Sequence, residues 1–505
     1  MTEHTDVIII GAGLSGIGAA AHLSMKCPNE RYVILEGRDN FGGTWDLFKY
    51  PGIRSDSDMY TFGFSFKPWM DDRTLADGPS IMGYLRETMR EHDIERHIRY
   101  GHRVTRLSWS SETCRWTLEV TKKDGSVTQM TSDFIYSCTG YYDYETGHDP
   151  VFAGRESFRG QVVHPQKWPE GLDYTGKKVV IIGSGATAVT LVPEMAKKAA
   201  HVTMLQRTPT YVASVPSRDK IASALRKRLP EKLAYDLTRW KNVGFGMFFY
   251  ELSRRRPAGV KKFLLNAAKK ELGPSYDMRH FTPSYDPWDQ RLCAVLDGDM
   301  FDTIKQGRAS VVTDHIERFT EKGILLKSGE ELEADLIVTA TGLKLLFLGG
   351  MAVEVDGKPV SVHDKLLYKG MMLEDVPNLV LAFGYTNASW TLKADLTSEY
   401  VCRLLQHLRR SGKRRATPVR DAGVTPEPFL TFSSGYVQRA LSILPQQGNK
   451  RPWRLYMNYL LDTLTIRHDR LDDGTLRIEG PARASTTTKP AAEATPPPNG
   501  VLAAR

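Results

Sequence analysis

Two short stretches of this chain combine residue types that can grip a diphosphate. Gly11-Ala12-Gly13-Leu14-Ser15-Gly16 follows the apolar run Val7-Ile8-Ile9-Ile10, and Gly183-Ser184-Gly185-Ala186-Thr187-Ala188 follows Val179-Val180-Ile181-Ile182. In such a loop the first glycine makes a tight turn and the second lets backbone N–H groups meet a pyrophosphate. A small third residue lets the following helix pack close, and the start of that helix offers unpaired N–H groups to the phosphates. The chemistry served is the binding of dinucleotide redox cofactors. The residue closing the second strand of each unit separates the two ligands. Glu36, after Tyr32-Val33-Ile34-Leu35, offers a carboxylate to a ribose 2′-OH and repels a 2′-phosphate, which fits FAD or NAD. Gln206-Arg207, after the run from His201 to Leu205, offers a guanidinium that can pair bidentately with a 2′-phosphate, which fits NADPH. A structural salt bridge is the other role open to Arg207.

The elements that must position these loops follow from the pattern. Each unit reads strand, glycine loop, small-residue helix, strand, with helices expected through Leu23 and from Val189 to Ala200. The stretches Tyr136-Ser137-Cys138-Thr139-Gly140 and Ile337-Val338-Thr339-Ala340-Thr341-Gly342 are alike and read as paired strand ends through which the chain leaves and re-enters its first domain. The expected fold class is α/β, with two Rossmann-like dinucleotide-binding domains. An FAD-binding domain is built from residues 1–145 and 336–480, and an NADPH-binding domain from 146–335 carries a basic helical insert at about 215–280. Residues 481–505, rich in Ala, Thr and Pro, read as a disordered tail. Between the two units, Phe158-Arg159-Gly160-Gln161-Val162-Val163-His164-Pro165-Gln166-Lys167-Trp168-Pro169 reads as a stiffened connector. Gly160 permits a special turn, the prolines bar regular structure, and His164 and Trp168 present a polar and a large flat group.

Composition sets the outer limits. At 505 residues and 41% apolar content the chain can build two or three full cores without staples. Five scattered cysteines with no C-x-x-C pair indicate neither a disulfide framework nor a zinc site, so no metal is expected and a reducing cytoplasm fits best. The start of the chain reads as a first strand, not a signal peptide, and no apolar run reaches the ~20 residues of a membrane span. The formal charge of +9 is concentrated: residues 218–270 hold 15 Lys or Arg against 4 Asp or Glu. With Trp240, Phe245, Met247, Phe248, Phe249 and Tyr250 among those charges, the insert could attract anionic lipid and make peripheral membrane contact. The same composition fits a solvated helical face with core aromatics. No nucleic-acid-binding module accompanies the charge, so nucleic acid is not expected as a partner.

The connector sharpens the functional reading. Its pattern F-x-G-x-x-x-H-x-x-x-W-P, carried by Phe158, Gly160, His164, Trp168 and Pro169, resembles the fingerprint of type I Baeyer–Villiger flavoprotein monooxygenases. Gly42-Gly43-Thr44-Trp45 followed by Tyr50-Pro51-Gly52 and Asp56 is similar to a second motif of that family, and the paired strand ends resemble its A-T-G-type linkers. Details such as G-I-R-S-D-S-D-M-Y, D-Q-R-L-C and G-Y-T-N-A-S-W-T-L-K-A-D resemble its mycobacterial ethionamide-activating subgroup.

The resemblance implies that NADPH reduces FAD, that O2 adds at flavin C4a, and that the peroxide attacks a ketone to give an ester or lactone; sulfur compounds are further expected substrates. It implies FAD contacts at Gly11, Gly13, Ser15, Gly16, Glu36, Gly43, Thr44, Trp45, Asp56, Thr391 and Leu392. NADPH contacts are implied at Gly183, Ser184, Gly185, Thr187, Ala188, Arg207 and Thr341. Arg291 takes the position of the family's essential arginine, with Gln290 where many members have Lys, and Asp56 would orient it. Asp56 could also serve as a simple helix cap. Trp390, at the start of a helix whose electropositive end would face the flavin, is the candidate substrate-pocket residue, or an ordinary core residue. His164 and Trp168 would couple domain movement to NADP retention. A flavin monooxygenase limited to S- or N-oxygenation is the runner-up; it would lack Trp168-Pro169. A thioredoxin-reductase-like enzyme has no cysteine pair to support it, and a redox-sensing dinucleotide-binding protein would not need Arg291 and Asp56.

Overall fold

The computed structural model describes residues 2–480 apart from 291 and 431, so Arg291 and the expected tail at 481–505 lie outside the described residues. The first domain starts with β1 (Glu3–Ile10), α1 (Leu14–Lys26) and β2 (Tyr32–Leu35). Val7 to Ile10 and the whole of β2 are buried, as expected of parallel strands covered on both faces. The small residues Gly16, Gly18, Ala19 and Ala20 let α1 lie tightly on the sheet. The short helices α2 (Thr44–Leu47) and α3 (Met59–Phe62) and the longer α4 (Gly78–Glu91) lead to β3 (Ile98–Arg99), β4 (His102–Ser110), β5 (Arg115–Lys122) and β6 (Val127–Ser137). Strand β6 serves two layers. Its first half pairs antiparallel with β5, and its second half runs parallel beside β1. Its burial changes accordingly, from alternation up to Phe134 to an unbroken buried run from Phe134 to Ser137.

The second domain holds β7 (Gln161–Val163), β8 (Lys178–Ile182), α5 (Ala186–Met195), β9 (His201–Gln206), β10 (Val212–Val215), α6 (Lys220–Arg226), α7 (Glu231–Arg255) and α8 (Pro257–Leu272). It continues through β11 (Cys293–Leu296), α9 (Asp299–Lys305), β12 (Ala309–Thr313), the antiparallel β13 (Ile316–Phe319), β14 (Gly323–Leu326) and β15 (Glu331–Glu333), and β16 (Leu336–Thr339). Five of these strands form a wholly parallel sheet in the order β12-β9-β8-β16-β7. The chain then rejoins the first sheet with β17 (Ala352–Val355), β18 (Lys358–Pro359), β19 (Leu367–Tyr368), β20 (Met372–Leu373) and β21 (Leu379–Leu381). It ends its described part with α10 (Trp390–Ser411), α11 (Gly435–Gln438) and α12 (Tyr459–His468) and their connections.

Several expectations from the sequence are corrected. The connector is not free of regular structure: Gln161, Val162 and Val163 pair in parallel with Leu336, Ile337 and Val338. Pro165 and Pro169 lie beyond that strand, so nothing in it lacks an N–H. Because β16 pairs with both β7 and β8, the chain returns to the first domain only after Thr339, not at 336. Helix α5 stops at Met195 instead of Ala200. The helical insert does not belong to the second domain alone. Helix α7 is fastened to the first domain, where Tyr235 donates to the Tyr60 carbonyl (2.9 Å), Arg239 to the Tyr60 and Gly63 carbonyls (both 2.7 Å), and Asn242 to Asp58 Oδ1 (2.8 Å). Helix α8 instead packs in the core of the second, through Ala268 and Leu272.

Candidate functional site

The first glycine loop is shaped for a ligand. Gly11 has φ +103°, and a Cβ there would lie 2.7 Å from the Cys138 carbonyl oxygen; at Gly16 it would lie 1.9 Å from the Gly11 oxygen. Those two glycines are demanded by the turn and by helix packing. Gly13 is different: its φ is −79°, and the nearest atom to a Cβ would be Gly43 Cα at 3.6 Å. No protein atom requires glycine at 13, so the open space over it suits a diphosphate. Glu36 is buried, its Oε2 accepting from Ala12 N–H (2.7 Å) and its Oε1 from Arg38 N–H (2.9 Å). Burial raises its pKa against those two donors. The Gly42-Gly43 turn is tied to the loop by Gly42 N–H to the Ala12 carbonyl (2.9 Å), with Gly42 at φ +106°. Thr44 Oγ1 bonds the Tyr144 hydroxyl (3.2 Å), and Trp45 stands edge-on to Phe62.

The second loop repeats the design. Gly183 has φ +132° and closely approaches the Ala340 carbonyl, whereas a Cβ on Gly185 would meet nothing within 4 Å. Ser184 Oγ donates to the Thr208 carbonyl (3.1 Å), and Ala188 is buried in the domain core. Arg207 is exposed and forms no ion pair among the described residues. Its neighbour Gln206 is buried, and its amide donates to the His280 carbonyl (2.7 Å) and Thr313 Oγ1 (2.9 Å). Thr341 Oγ1 donates to the His148 carbonyl at the crossing between domains.

Both loops open on one cavity of about 290 Å3, lined from the first domain by Gly13, Ser15, Gly43, Thr44, Trp45 and Trp390 and from the second by Ala186, Thr187 and Thr190. Trp390 stacks on Tyr141 (5.2 Å) and donates from Nε1 to Ser15 Oγ (2.8 Å), which places it against the first loop. A second cavity, of about 210 Å3, lies under α7. Asn242, Val243, Gly246 and Met247 wall it on one side and Trp288, Leu292 and Leu392 on others. The two cavities share Asp56, Ser57 and Ala388 as lining residues. Arg291 lies outside the described residues, but its chain neighbour Leu292 lines the second cavity.

Buried polar atoms without partners cluster here. They include Ser389 Oγ, Thr391 Oγ1 and Asn387 Oδ1 at the start of α10, Trp288 Nε1, and Arg54 Nη2. Such atoms are costly unless a ligand or water meets them; Asn387, Ser389 and Trp288 line the smaller cavity and Arg54 the larger, so a polar ligand in each would meet them. Ser389, the α10 N-cap, makes no side-chain cap bond. Sequence reasoning passed over Arg54, which lines the larger cavity and spends Nη1 on Asp299 (2.8 Å), and Trp288, held at φ +69°. Positive φ is rare for a bulky residue and marks a constrained loop. Tyr50, also in the larger cavity, has its pKa pushed up to about 12 by burial and remains a hydrogen-bond donor at neutral pH.

The connector fingerprint touches neither cavity. Phe158 is buried edge-on against Phe319, Gly160 leaves no room for a Cβ beside the Asp335 carbonyl, and Trp168 packs against the second domain's core. Pro169 follows it, half-buried. His164 Nδ1 accepts from Gln166 N–H (3.2 Å), which leaves the proton on Nε2, a buried atom without a partner. Gly147 lies against the ring so closely that a Cβ would fall 2.0 Å from His164 Cε1. Burial lowers the His164 pKa and favours the neutral ring.

Two glycine-rich loops of the kind that binds dinucleotides thus face one cavity, and a second cavity opens beside it. The flavin-binding monooxygenase-like family matches residues 4–410, and this chain belongs to that family of flavin-dependent monooxygenases. It is 51% identical over 481 residues to the FAD-containing monooxygenase EthA of Mycolicibacterium smegmatis, covering 95% of this chain and 98% of the relative. It is 50% identical to the probable FAD-binding monooxygenase AlmA of Acinetobacter baylyi, covering 95% and 97%. Among solved structures, oxidized steroid monooxygenase bound to NADP has the same fold, with a TM-score of 0.74 at 21% identity over 94% of this chain and 100% of that one.

Proposed function

We propose that this chain binds FAD on its first loop and NADPH on its second and inserts one atom of O2 beside the carbonyl of a ketone, giving an ester or lactone, with thioethers as further substrates. The observation that carries this reading is the shared wall of the two cavities at Asp56, Ser57 and Ala388, which puts a substrate-sized space directly beside the cofactor space. The relatives' FAD-containing names and the NADP in the steroid monooxygenase structure support the cofactor assignment. Bound FAD would take a hydride from NADPH and activate O2.

The chain's own residues do the rest. Backbone N–H groups around Gly13 and Gly185 hold the two pyrophosphates, Glu36 accepts from the ribose of FAD, and Arg207 pairs with the 2′-phosphate of NADPH. The first turn of α10, with Thr391 and Leu392, turns its electropositive end to the flavin and favours negative charge there. Asp56 stands at the shared wall to orient Arg291, whose fixed cation stabilises the negative oxygen that develops during attack on the carbonyl. Trp288 Nε1–H and the wall of α7 position the ketone. The test is NADPH and O2 consumption by the FAD-loaded enzyme with linear, cyclic and aryl ketones and thioethers, with mass analysis of products formed under labelled O2. Esters carrying one labelled oxygen are expected. Sulfoxides with no ester from any ketone would replace this reading with S-oxygenation.

A further inference from the structure

We propose that the outer face of α7 and α12 docks on an anionic lipid bilayer. Leu233, Leu237, Trp240 and Phe248 fall on one stripe of α7 and are 47%, 44%, 45% and 64% exposed. Beside the stripe Phe245 is also largely exposed and stacks on Phe249. The opposite side of the helix buries Ala234, Tyr235, Thr238 and Arg239, so α7 is apolar outward where it should be polar. The stripe continues onto α12, because Trp240 meets the Tyr459 ring at 5.9 Å and the next turns expose Leu460 and Leu464. On α8, Phe263 is likewise exposed. Single exposed apolar side chains are ordinary; a row of them along adjoining helices marks a binding surface.

The charges of the same insert, on and beside the helices α6 and α8 that flank α7, select the occupant. Lys220, Lys227, Arg228, Arg256, Lys262, Lys269 and Lys270 are exposed and form no ion pair among the described residues. Three of the four acids between residues 218 and 270 are already used, Asp219 by Lys241, Asp236 by Lys232 and Glu251 by Arg255, which leaves Glu231 in the first turn of α7 against the free cations. A second copy of this chain would bring a like-charged face against the first. An anionic headgroup layer over an acyl interior matches both the cations and the apolar stripe. The same helix walls the smaller cavity through Val243, Gly246 and Met247, so docking sets that cavity next to the lipid.

The experiment uses the full-length FAD-loaded protein, sedimented with vesicles of phosphatidylcholine with and without phosphatidylglycerol. Two variants are compared, Leu237→Asp with Phe248→Asp, and Lys262→Glu with Lys269→Glu. Removing two large apolar anchors is expected to weaken binding to anionic vesicles by ~10-fold or more. The charge variant should lose the preference for phosphatidylglycerol, and added salt should reproduce that loss. Unchanged flavin content and melting temperature confirm that both variants are folded, since every substituted side chain is exposed. Failure of the wild type to bind anionic vesicles at low salt would overturn the proposal, as would equal binding by the apolar variant. A wild-type dimer that the apolar variant converts to monomer would assign the face to a second copy.

Discussion

Gly13 and Gly16 sit three residues apart, one capping α1 and the other inside its first turn, yet the structure gives them opposite reasons for being glycine. A Cβ on Gly16 would lie 1.9 Å from a backbone oxygen, whereas one on Gly13 would find no atom closer than 3.6 Å and a φ of −79° that alanine adopts freely. Gly16→Ala must therefore move strand or helix, at about 1–3 kcal/mol or more. Gly13→Ala alters only a helix N-cap, for under about 1 kcal/mol of fold stability. Its methyl group instead occupies the open space proposed for the diphosphate. Each backbone N–H to a charged phosphate is worth about 1.5–3 kcal/mol, so losing two should weaken FAD binding by about 10²–10⁴ in Kd. The assay is titration of apoprotein with FAD, followed by quenching of flavin fluorescence, alongside thermal unfolding of the apoprotein. Gly13→Ala should lose FAD affinity at nearly wild-type Tm, and Gly16→Ala should lose Tm. An FAD Kd for Gly13→Ala within about threefold of wild type would remove the pyrophosphate from this loop.

Arg207→Ala should raise the KM for NADPH and barely change that for NADH, measured by initial rates with each coenzyme; equal losses with both would show that the guanidinium does not read the 2′-phosphate. Gly185→Ala should raise KM for both coenzymes while the protein stays fully flavin-loaded, because a Cβ there meets nothing in the protein. Arg291→Ala should still bind FAD and still be reduced by NADPH, yet form ~10²–10³-fold less ester with oxygen lost as hydrogen peroxide, Asp56→Ala being milder; stopped-flow flavin spectra beside product yield distinguish the two half-reactions. Burial lowers the pKa values of His92, His97, His148 and His164. The unfolded chain therefore takes up protons first, and stability present above the ordinary histidine value of about 6.5 is lost as pH falls through the folded values. Urea midpoints between neutral and mildly acidic pH should show this, with a shallower fall in His164→Gln.

The sequence by itself determined both strand, glycine loop and helix units and the opposite charges at Glu36 and Arg207, because these are local: an apolar run, a backbone that needs no Cβ, and one side chain closing a strand. It also marked out the basic helical insert from composition. Tertiary structure decided where those pieces meet. Asp56 and Ala388 come from distant parts of the chain, and only the packing of α3, α7 and α10 makes them a common wall. Gln206 stands next to Arg207 in sequence, but the side chain of this last residue in β9 points into the core, where the His280 carbonyl and Thr313 take its amide. The Phe158 to Pro169 connector reads as a loop until its partner strand β16 arrives with the second domain's last crossover. Helix α7 shows the same limit from the other side. Its charge and aromatic content are legible residue by residue, but its crossing to the first domain rests on Tyr235, Arg239 and Asn242 finding carbonyl and carboxylate oxygens near Tyr60. A residue's type states which partners it can satisfy, and only the folded chain brings one of them within hydrogen-bond distance.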